Sequence, residues 1–203
     1  MWYGAHLKTK SPQVSQFLGE VYQNTGDRIS NFAKTGAALD VTNELPLAKM
    51  VLDQNQVDRL RIEWTSGTQP RTNSLAYRDR LWELAGEQYR DAATNRGTLS
   101  MPNLFMNRGR LLVSQGESEQ AIPEFKTALA FGQNSTFQAT RQETTVNAMR
   151  AISVAYWNMR KYQEALYWMS KARDAQSKFR MIYVKTLDQE IEQLKTLAAA
   201  QTQ

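Results

Sequence analysis

Small residues recur at regular intervals among large ones in one segment, NRGRLLVSQGESEQAIPEFKTALAFG, residues 107–132. Two antiparallel helices can approach closely only where their side chains are small. Gly109 and Ala121 therefore predict the point at which two helices cross. Leu112 and Phe125 would fill the space beside that point. The segment is expected to form a helical hairpin in which Gly109 faces Ala121.

The same pattern returns 44 residues further along the chain. Large and small residues stand at the same intervals in both segments, although one small and two large positions carry a different residue type. The matching pairs are Gly109 and Ser153, Leu112 and Tyr156, Ala121 and Ala165, Phe125 and Met169, and Ala128 and Ala172. Such self-similarity indicates a repeat architecture. Residues 102–130 and 146–174 are therefore expected to superpose as two antiparallel hairpins.

At these positions the sequence resembles the tetratricopeptide repeat family, a helix pair of about 34 residues with alternating large and small positions. The first unit matches the family signature at Gly109, Leu112, Gly116, Ala121, Phe125 and Ala128. Residues 82–89, WELAGEQY, match the spacing of the family's first helix in part, although Pro102 prevents a normal second helix from completing that unit. The longer 44-residue offset predicts a long loop or helix extension around QNSTFQATRQETT.

The remaining segments also have helical patterns. Ser11 is a candidate N-cap and Pro12 a candidate first helical residue, which together predict one long helix to residue 36. Residues 45–64 continue the pattern more weakly, with Pro46 at or near the start of a second helix, and residues 65–74 are turn-rich. A final helix is expected from an apolar stripe at Phe179, Ile182, Tyr183, Leu187, Ile191 and Leu194.

Together these features predict an all-α fold. Antiparallel hairpins would stack as a short α-solenoid similar to a tetratricopeptide repeat array, between an extra N-terminal hairpin and a C-terminal capping helix. The expected divisions are a flexible segment at 1–10, the N-terminal hairpin at 11–66, and the array with its capping helix at 67–203. No stretch alternates with period two for long enough to predict a strand.

The first ten residues, MWYGAHLKTK, place aromatic side chains ahead of lysines. This order is typical of a segment that follows a transmembrane helix at the lipid interface, so it favours a membrane anchor upstream of Trp2. An ordinary frayed terminus is the alternative. The sequence itself contains no apolar run long enough to span a bilayer. The absence of cysteine excludes disulfides but leaves the compartment open.

The sequence predicts no catalytic site, metal site or cofactor. It contains no cysteine nucleophile, and its single histidine, His6, has no neighbouring ligand residues. It lacks a phosphate-binding glycine loop with its lysine, a zinc-protease helix and a nucleophile elbow. Asp53, Asp58 and Glu63 alternate with Arg59 and Arg61, which indicates a solvated helix face with local ion pairs.

The resemblance implies that the first helices of the units form a concave face that binds a peptide or helix of a partner protein. That face would carry Asn103, Met106, Arg110, Asn147, Arg150, Val154, Trp157 and Asn158. Arginine forms paired hydrogen bonds with carboxylates, so the face suits an acidic or C-terminal segment, with Trp157 as an apolar anchor. The alternative is that these residues are ordinary solvated helix positions.

The predicted function is therefore a noncatalytic interaction module, an adaptor or assembly factor. A secretion-type chaperone that holds an export substrate in the same groove is one alternative. A nucleic-acid-binding regulator is another, but the net charge of +5 includes no block of like charges, which does not favour it.

Overall fold

The computed structural model describes residues 11–36, 39–66, 71–94, 102–179 and 185–201. Throughout these ranges the regular elements are α-helices and no strand occurs, so the predicted all-α class is confirmed. None of the helices in the described ranges has both the length and the apolar character needed to cross a membrane. The predicted juxtamembrane segment at 1–10, together with His6, lies outside the described residues.

The helices fall into two units, α1 to α4 and α5 to α9. The first unit consists of α1 (Pro12–Thr35), α2 (Val41–Val51), α3 (Gln54–Ser66) and α4 (Thr72–Thr94). The second consists of α5 (Pro102–Ser114), α6 (Ser118–Gln133), α7 (Gln138–Asn158), α8 (Tyr162–Lys178) and α9 (Lys185–Gln201). This grouping differs from the predicted one, in which the array began at residue 67, because α4 belongs with the N-terminal helices.

Helix α1 begins and ends as its sequence predicts. The Ser11 hydroxyl accepts a hydrogen bond from the backbone N–H of Val14 at 3.3 Å, and Pro12 is the first helical residue. Gly36 ends the helix in the left-handed conformation with φ of +73°, and its N–H donates to the carbonyl of Phe32. A glycine adopts this conformation without steric cost, so it ends the helix at a defined point.

Glycines on α1 accommodate aromatic rings from α4. A Cβ atom added at Gly19 would lie 2.4 Å from the ring of Tyr89, and one added at Gly26 would lie 2.7 Å from the ring of Trp82. The two contacts run in opposite order along the helices, so α1 and α4 are antiparallel. The partner of α1 is therefore α4, and the expected hairpin of α1 with residues 45–64 is replaced by this pairing.

The weakly periodic segment at 45–64 forms two helices rather than one. Helix α2 already begins at Val41, because the Asp40 carboxylate accepts hydrogen bonds from the backbone N–H groups of Thr42 and Asn43. Pro46 lies inside this helix. Asp53 and Gln56 then form a reciprocal cap at the start of α3, with backbone-to-side-chain distances of 2.9 and 3.1 Å. The apolar periodicity predicted one continuous helix over 45–64, but this cap begins a separate helix at Gln54.

Glu63 is buried, contrary to the expectation of a solvated ion-paired face, and it fixes the start of α4. The residue is 4% exposed. Its carboxylate accepts hydrogen bonds from the backbone N–H groups of Asn73 and Ser74 at 3.0 and 2.9 Å, and from both of their side chains. A carboxylate at a helix N-terminus satisfies orphan donors and complements the helix dipole.

The two hairpins of the second unit turn through the same hydrogen bonds. Between α5 and α6, the N–H of Gly116 donates to Val113 at 3.0 Å, and that of Glu117 donates to Leu112 at 2.8 Å. Gly116 has φ of +86°. These two bonds define a Schellman motif, in which a left-handed residue ends a helix.

The turn between α7 and α8 repeats this motif 44 residues later. The N–H of Arg160 donates to Trp157 at 2.8 Å, and that of Lys161 donates to Tyr156 at 2.9 Å. Arg160 takes the place of Gly116 and is left-handed as well, with φ of +58°. The offset inferred from side-chain size thus also relates the backbone geometry of the two turns.

The helix crossings also correspond, although the first differs in detail from the prediction. The atoms nearest to a Cβ at Gly109 belong to the ring of Phe125, at 2.4 Å. In the second hairpin the fully buried Ser153 hydroxyl donates to the carbonyl of Ala165 at 2.6 Å. Ser153 and Ala165 are the pair equivalent to Gly109 and Ala121. Small residues therefore permit close approach in both hairpins.

The second unit is layered, with α6 packed on α7 and α8 packed on α9. The inner stripe of α9 is buried at Leu187, Ile191 and Leu194, as predicted. Helix α9 begins at Lys185, whereas Phe179 is the C-cap of α8, and Ile182 and Tyr183 lie outside the described residues. The exposed positions of α9 include Gln189, Glu192, Gln193 and Lys195. A polar outer face is what a terminal capping helix requires.

Candidate functional site

The predicted binding residues lie on two neighbouring helices of the second unit, α5 and α7, which are in contact. Helix α5 carries Asn103, Met106 and Arg110, and α7 carries the other five. On each helix the predicted positions recur at three- and four-residue steps, so they follow one face. The structure divides this face lengthwise into an exposed edge and an edge that faces a neighbouring helix.

The exposed edge contains most of the polar positions. Asn103 and Arg110 are exposed on α5, and Val154 and Asn158 are exposed on α7, with Val154 at 42%. Asn147 is half-buried. Within each helix these residues are seven or four positions apart, which places them on one line along the helix. We call these five residues the exposed edge.

Met106 cannot take part in recognition as predicted. It is 4% exposed and belongs to a core cluster built from α5, α6 and α7. The sequence places it on the same face as Arg110, but at the side of that face that packs against α7. Its role is therefore to hold the two hairpins together.

Arg150 pairs with the C-terminal helix α9, and Trp157 packs against a cluster that α8 and α9 share. The guanidinium of Arg150 lies 3.2 Å from the carboxylate of Glu190 on α9. The half-buried Trp157 packs against a cluster of α8 and α9 residues that includes Leu187 and Ile191. Helix α9 thus supplies the carboxylate, and the α8–α9 cluster supplies the apolar side chains, that were expected from a partner.

The repeat register explains this arrangement. A shift of 44 residues relates Met106 to Arg150 and Val113 to Trp157. On α5, Met106 and Val113 pack in the core cluster of α5, α6 and α7. On α7, Arg150 pairs with α9, and Trp157 packs against the cluster of α8 and α9 residues. These positions therefore form the stacking side of each first helix. A signal was present in the sequence, because three of the four residues are bulky and apolar.

Arg110 is the one predicted arginine that remains on the exposed edge. It has no ion pair with any residue in the described part of the protein. Its neighbour Arg108 is instead paired with Glu124 on α6 at 2.9 Å. Burial raises the pKa of the Glu124 carboxyl, and the nearby Arg108 opposes that rise. The exposed edge therefore carries an unpaired cation, whereas the adjoining hairpin interface has its charges paired.

Neither metal chemistry nor similarity to other proteins adds to this description. Among the described residues, no group of three or more His, Cys, Asp or Glu side chains could hold a metal ion. Comparison with models of protein families, with curated proteins and with solved structures finds no match. The resemblance to tetratricopeptide repeats therefore stays a prediction.

Proposed function

We propose that the second unit is a noncatalytic interaction module that binds a segment of another protein along the exposed edge of α5 and α7. The observation on which this proposal depends is that Arg110 and Val154 are both accessible at equivalent positions of two adjacent hairpins. Arg110 forms no ion pair with a described residue. A role as adaptor or assembly factor follows from a surface that can bind without any reacting group.

The residues of the exposed edge define the chemistry of the partner. Arg110 suits a carboxylate, from an acidic residue or from the C-terminus of a polypeptide, and Val154 suits an apolar side chain next to it. The amides of Asn103 and Asn147 can donate to and accept from a peptide backbone. No single contact of this kind gives useful affinity once ordering costs are met, so the partner must contact both helices.

The contact between α7 and α9 supports this assignment from within the protein. There α9 presents the Glu190 carboxylate to Arg150, and Trp157 packs against an apolar cluster of α8 and α9 residues. Helix α7 thus already combines a carboxylate contact with an apolar contact inside the unit. A partner with the same combination of charge and apolar surface is what we propose for the exposed edge.

The test compares two charge reversals, Arg110→Glu on the exposed edge and Lys126→Glu on α6. Both side chains are exposed, so neither variant should unfold the protein. Immobilised wild-type and variant proteins are used to capture partners from lysate of the source cells, and captured proteins are quantified. We expect a protein that Arg110→Glu loses and Lys126→Glu keeps. Its affinity for purified wild-type protein should then fall about tenfold or more with Arg110→Glu.

Equal capture by wild-type and both variants would contradict the proposal. Nucleic acid captured with an affinity that falls steeply with salt would favour the regulator alternative. Rescue of an insoluble export substrate by coexpression, in Arg110→Glu as in wild type, would favour a chaperone that uses another surface.

A further inference from the structure

A cavity of about 360 Å³ lies in the first unit, between the end of α2, helix α3 and helix α4. Its apolar wall includes Val51, Leu60, Ala76 and Tyr77, of which Leu60 and Tyr77 are 1% exposed. Ligand sites span about 300–1,000 Å³, so this cavity is at the small end of that range. It has room for one amino-acid residue or a short organic acid.

The polar part of the lining is positive. Arg59 of α3 and Arg80 of α4 both line the cavity, together with the amides of Gln56 and Asn73, and none of its described lining residues is acidic. Burial, and secondarily a nearby carboxylate, raise the pKa of Tyr77, so its hydroxyl adds no negative charge. Two guanidinium groups beside a low-dielectric wall concentrate a positive potential.

The two arginines differ in their existing partners. Arg80 is paired with Glu83 at 3.0 Å, a contact between two largely exposed side chains. Arg59 has no ion pair within the described ranges. The cavity thus offers one unpaired guanidinium and one whose surface ion pair is weak, which suits a single negative charge better than two.

Two of the polar side chains around the cavity, Gln56 and Asn73, are held in place before any ligand arrives. Gln56 is fixed by its reciprocal cap with Asp53, and Asn73 donates to the buried Glu63 at 3.0 Å. These bonds join the start of α3 to its first turn and the start of α4 to α3. Because these two amides are ordered in advance, the site loses less entropy on binding.

We propose that this cavity binds a monocarboxylate attached to a short aliphatic group. The carboxylate lies between Arg59 and Arg80, and the aliphatic group lies against Leu60 and Ala76. The ligand is either a free organic acid or the C-terminal residue of a peptide, since both present the same chemistry. This site belongs to the first unit and does not depend on the proposed function of the exposed edge.

The test uses the full-length protein and three probes: N-acetyl-leucine, the peptide acetyl-Gly-Ser-Gly-Leu with a free carboxylate, and the same peptide as its C-terminal amide. Binding is followed by NMR shifts of the Leu52 and Ala76 methyl groups, both of which belong to lining residues. A carboxylate probe should bind with a Kd of about 1 mM or tighter. The amide should bind at least about tenfold more weakly, because it lacks the charge that arginine recognises.

Arg59→Gln should weaken carboxylate binding about three- to tenfold, because this arginine is partly solvated. Arg61→Gln is the matched control, an exposed arginine on the same helix that does not line the cavity, and it should leave the affinity unchanged. Tighter binding of the peptide than of N-acetyl-leucine would identify a peptide C-terminus as the ligand, and the reverse a free acid. The absence of shifts with any probe at about 10 mM, equal binding of the amide, or equal loss in both variants would overturn the proposal.

Discussion

Replacing Gly109 by alanine should destabilise the first hairpin of the second unit, although alanine is the better helix former. In a helix interior the change from glycine to alanine is worth about 1 kcal/mol of stabilisation. Here the new methyl group would lie 2.4 to 2.8 Å from three ring atoms of Phe125. That ring is 1% exposed and cannot move aside without displacing its neighbours. Overpacking at the upper end of about 1–3 kcal/mol should therefore leave a net loss of about 1–2 kcal/mol.

Hydrogen exchange of the α5 and α6 amides measures this loss separately from the first unit, whose α1 and α4 amides serve as the internal control. The second arm of the experiment repeats the substitution in a Phe125→Leu background, where the ring is absent. There Gly109→Ala should be neutral or stabilising, and the difference between the two backgrounds gives the coupling energy. An alanine variant as stable as wild type, or an equal loss in both backgrounds, would refute the assignment of Gly109 to ring packing.

Three further expectations concern the same unit. Ala121 is fully buried, so Ala121→Leu should lower the free energy of unfolding by about 1–3 kcal/mol, measured by urea denaturation. Gly116→Ala should lower the free energy of unfolding and Arg160→Gly should raise it, each by about 0.5–1 kcal/mol, because both residues have left-handed backbone conformations. Effects of the same sign would contradict this interpretation. Burial raises the pKa of Glu124 in the folded protein, against the opposing effect of Arg108. At low pH Glu124 is protonated in both the folded and the unfolded protein, and as pH rises it ionises first in the unfolded protein. The stability of wild type relative to Glu124→Gln should therefore fall with rising pH up to the raised pKa, and a rise across a series of urea titrations would disprove it.

Local signals in the sequence predicted α1 and α9 well, although they missed the break between α2 and α3. Ser11 and Pro12 fixed the start of α1, and the apolar stripe identified α9. The pairing of α1 with α4 was missed because it joins segments far apart in sequence, and periodicity within one helix carries no information about its partner. A signal existed in the equal spacing of Gly19 and Gly26 and of the aromatic residues on α4, which are also seven apart.

The candidate site was predicted as a face but not as its two edges. Residue type and spacing placed Arg110 and Arg150 together, yet one is exposed and the other is paired with α9. The difference arises from which side of each first helix the next helix covers, and this depends on stacking geometry. The cavity of the first unit was missed for a similar reason, since Arg59 and Arg80 are brought to it by separate helices.

The way in which each unit brings its helices together has a consequence for the order of folding. The hairpins of the second unit close through tight turns at Gly116 and Arg160, so their contacts are local. The pairing of α1 with α4 must instead close around residues 36–71, which include two further helices. Folding slows as contacts become less local, because loop entropy is lost before the contacts form. We therefore expect the C-terminal half to acquire its native hairpins first during refolding, although the ribosome makes the N-terminal half earlier. During synthesis the face of α1 that carries Gly19 and Gly26 therefore stays exposed until α4 has left the ribosome and can pack against it.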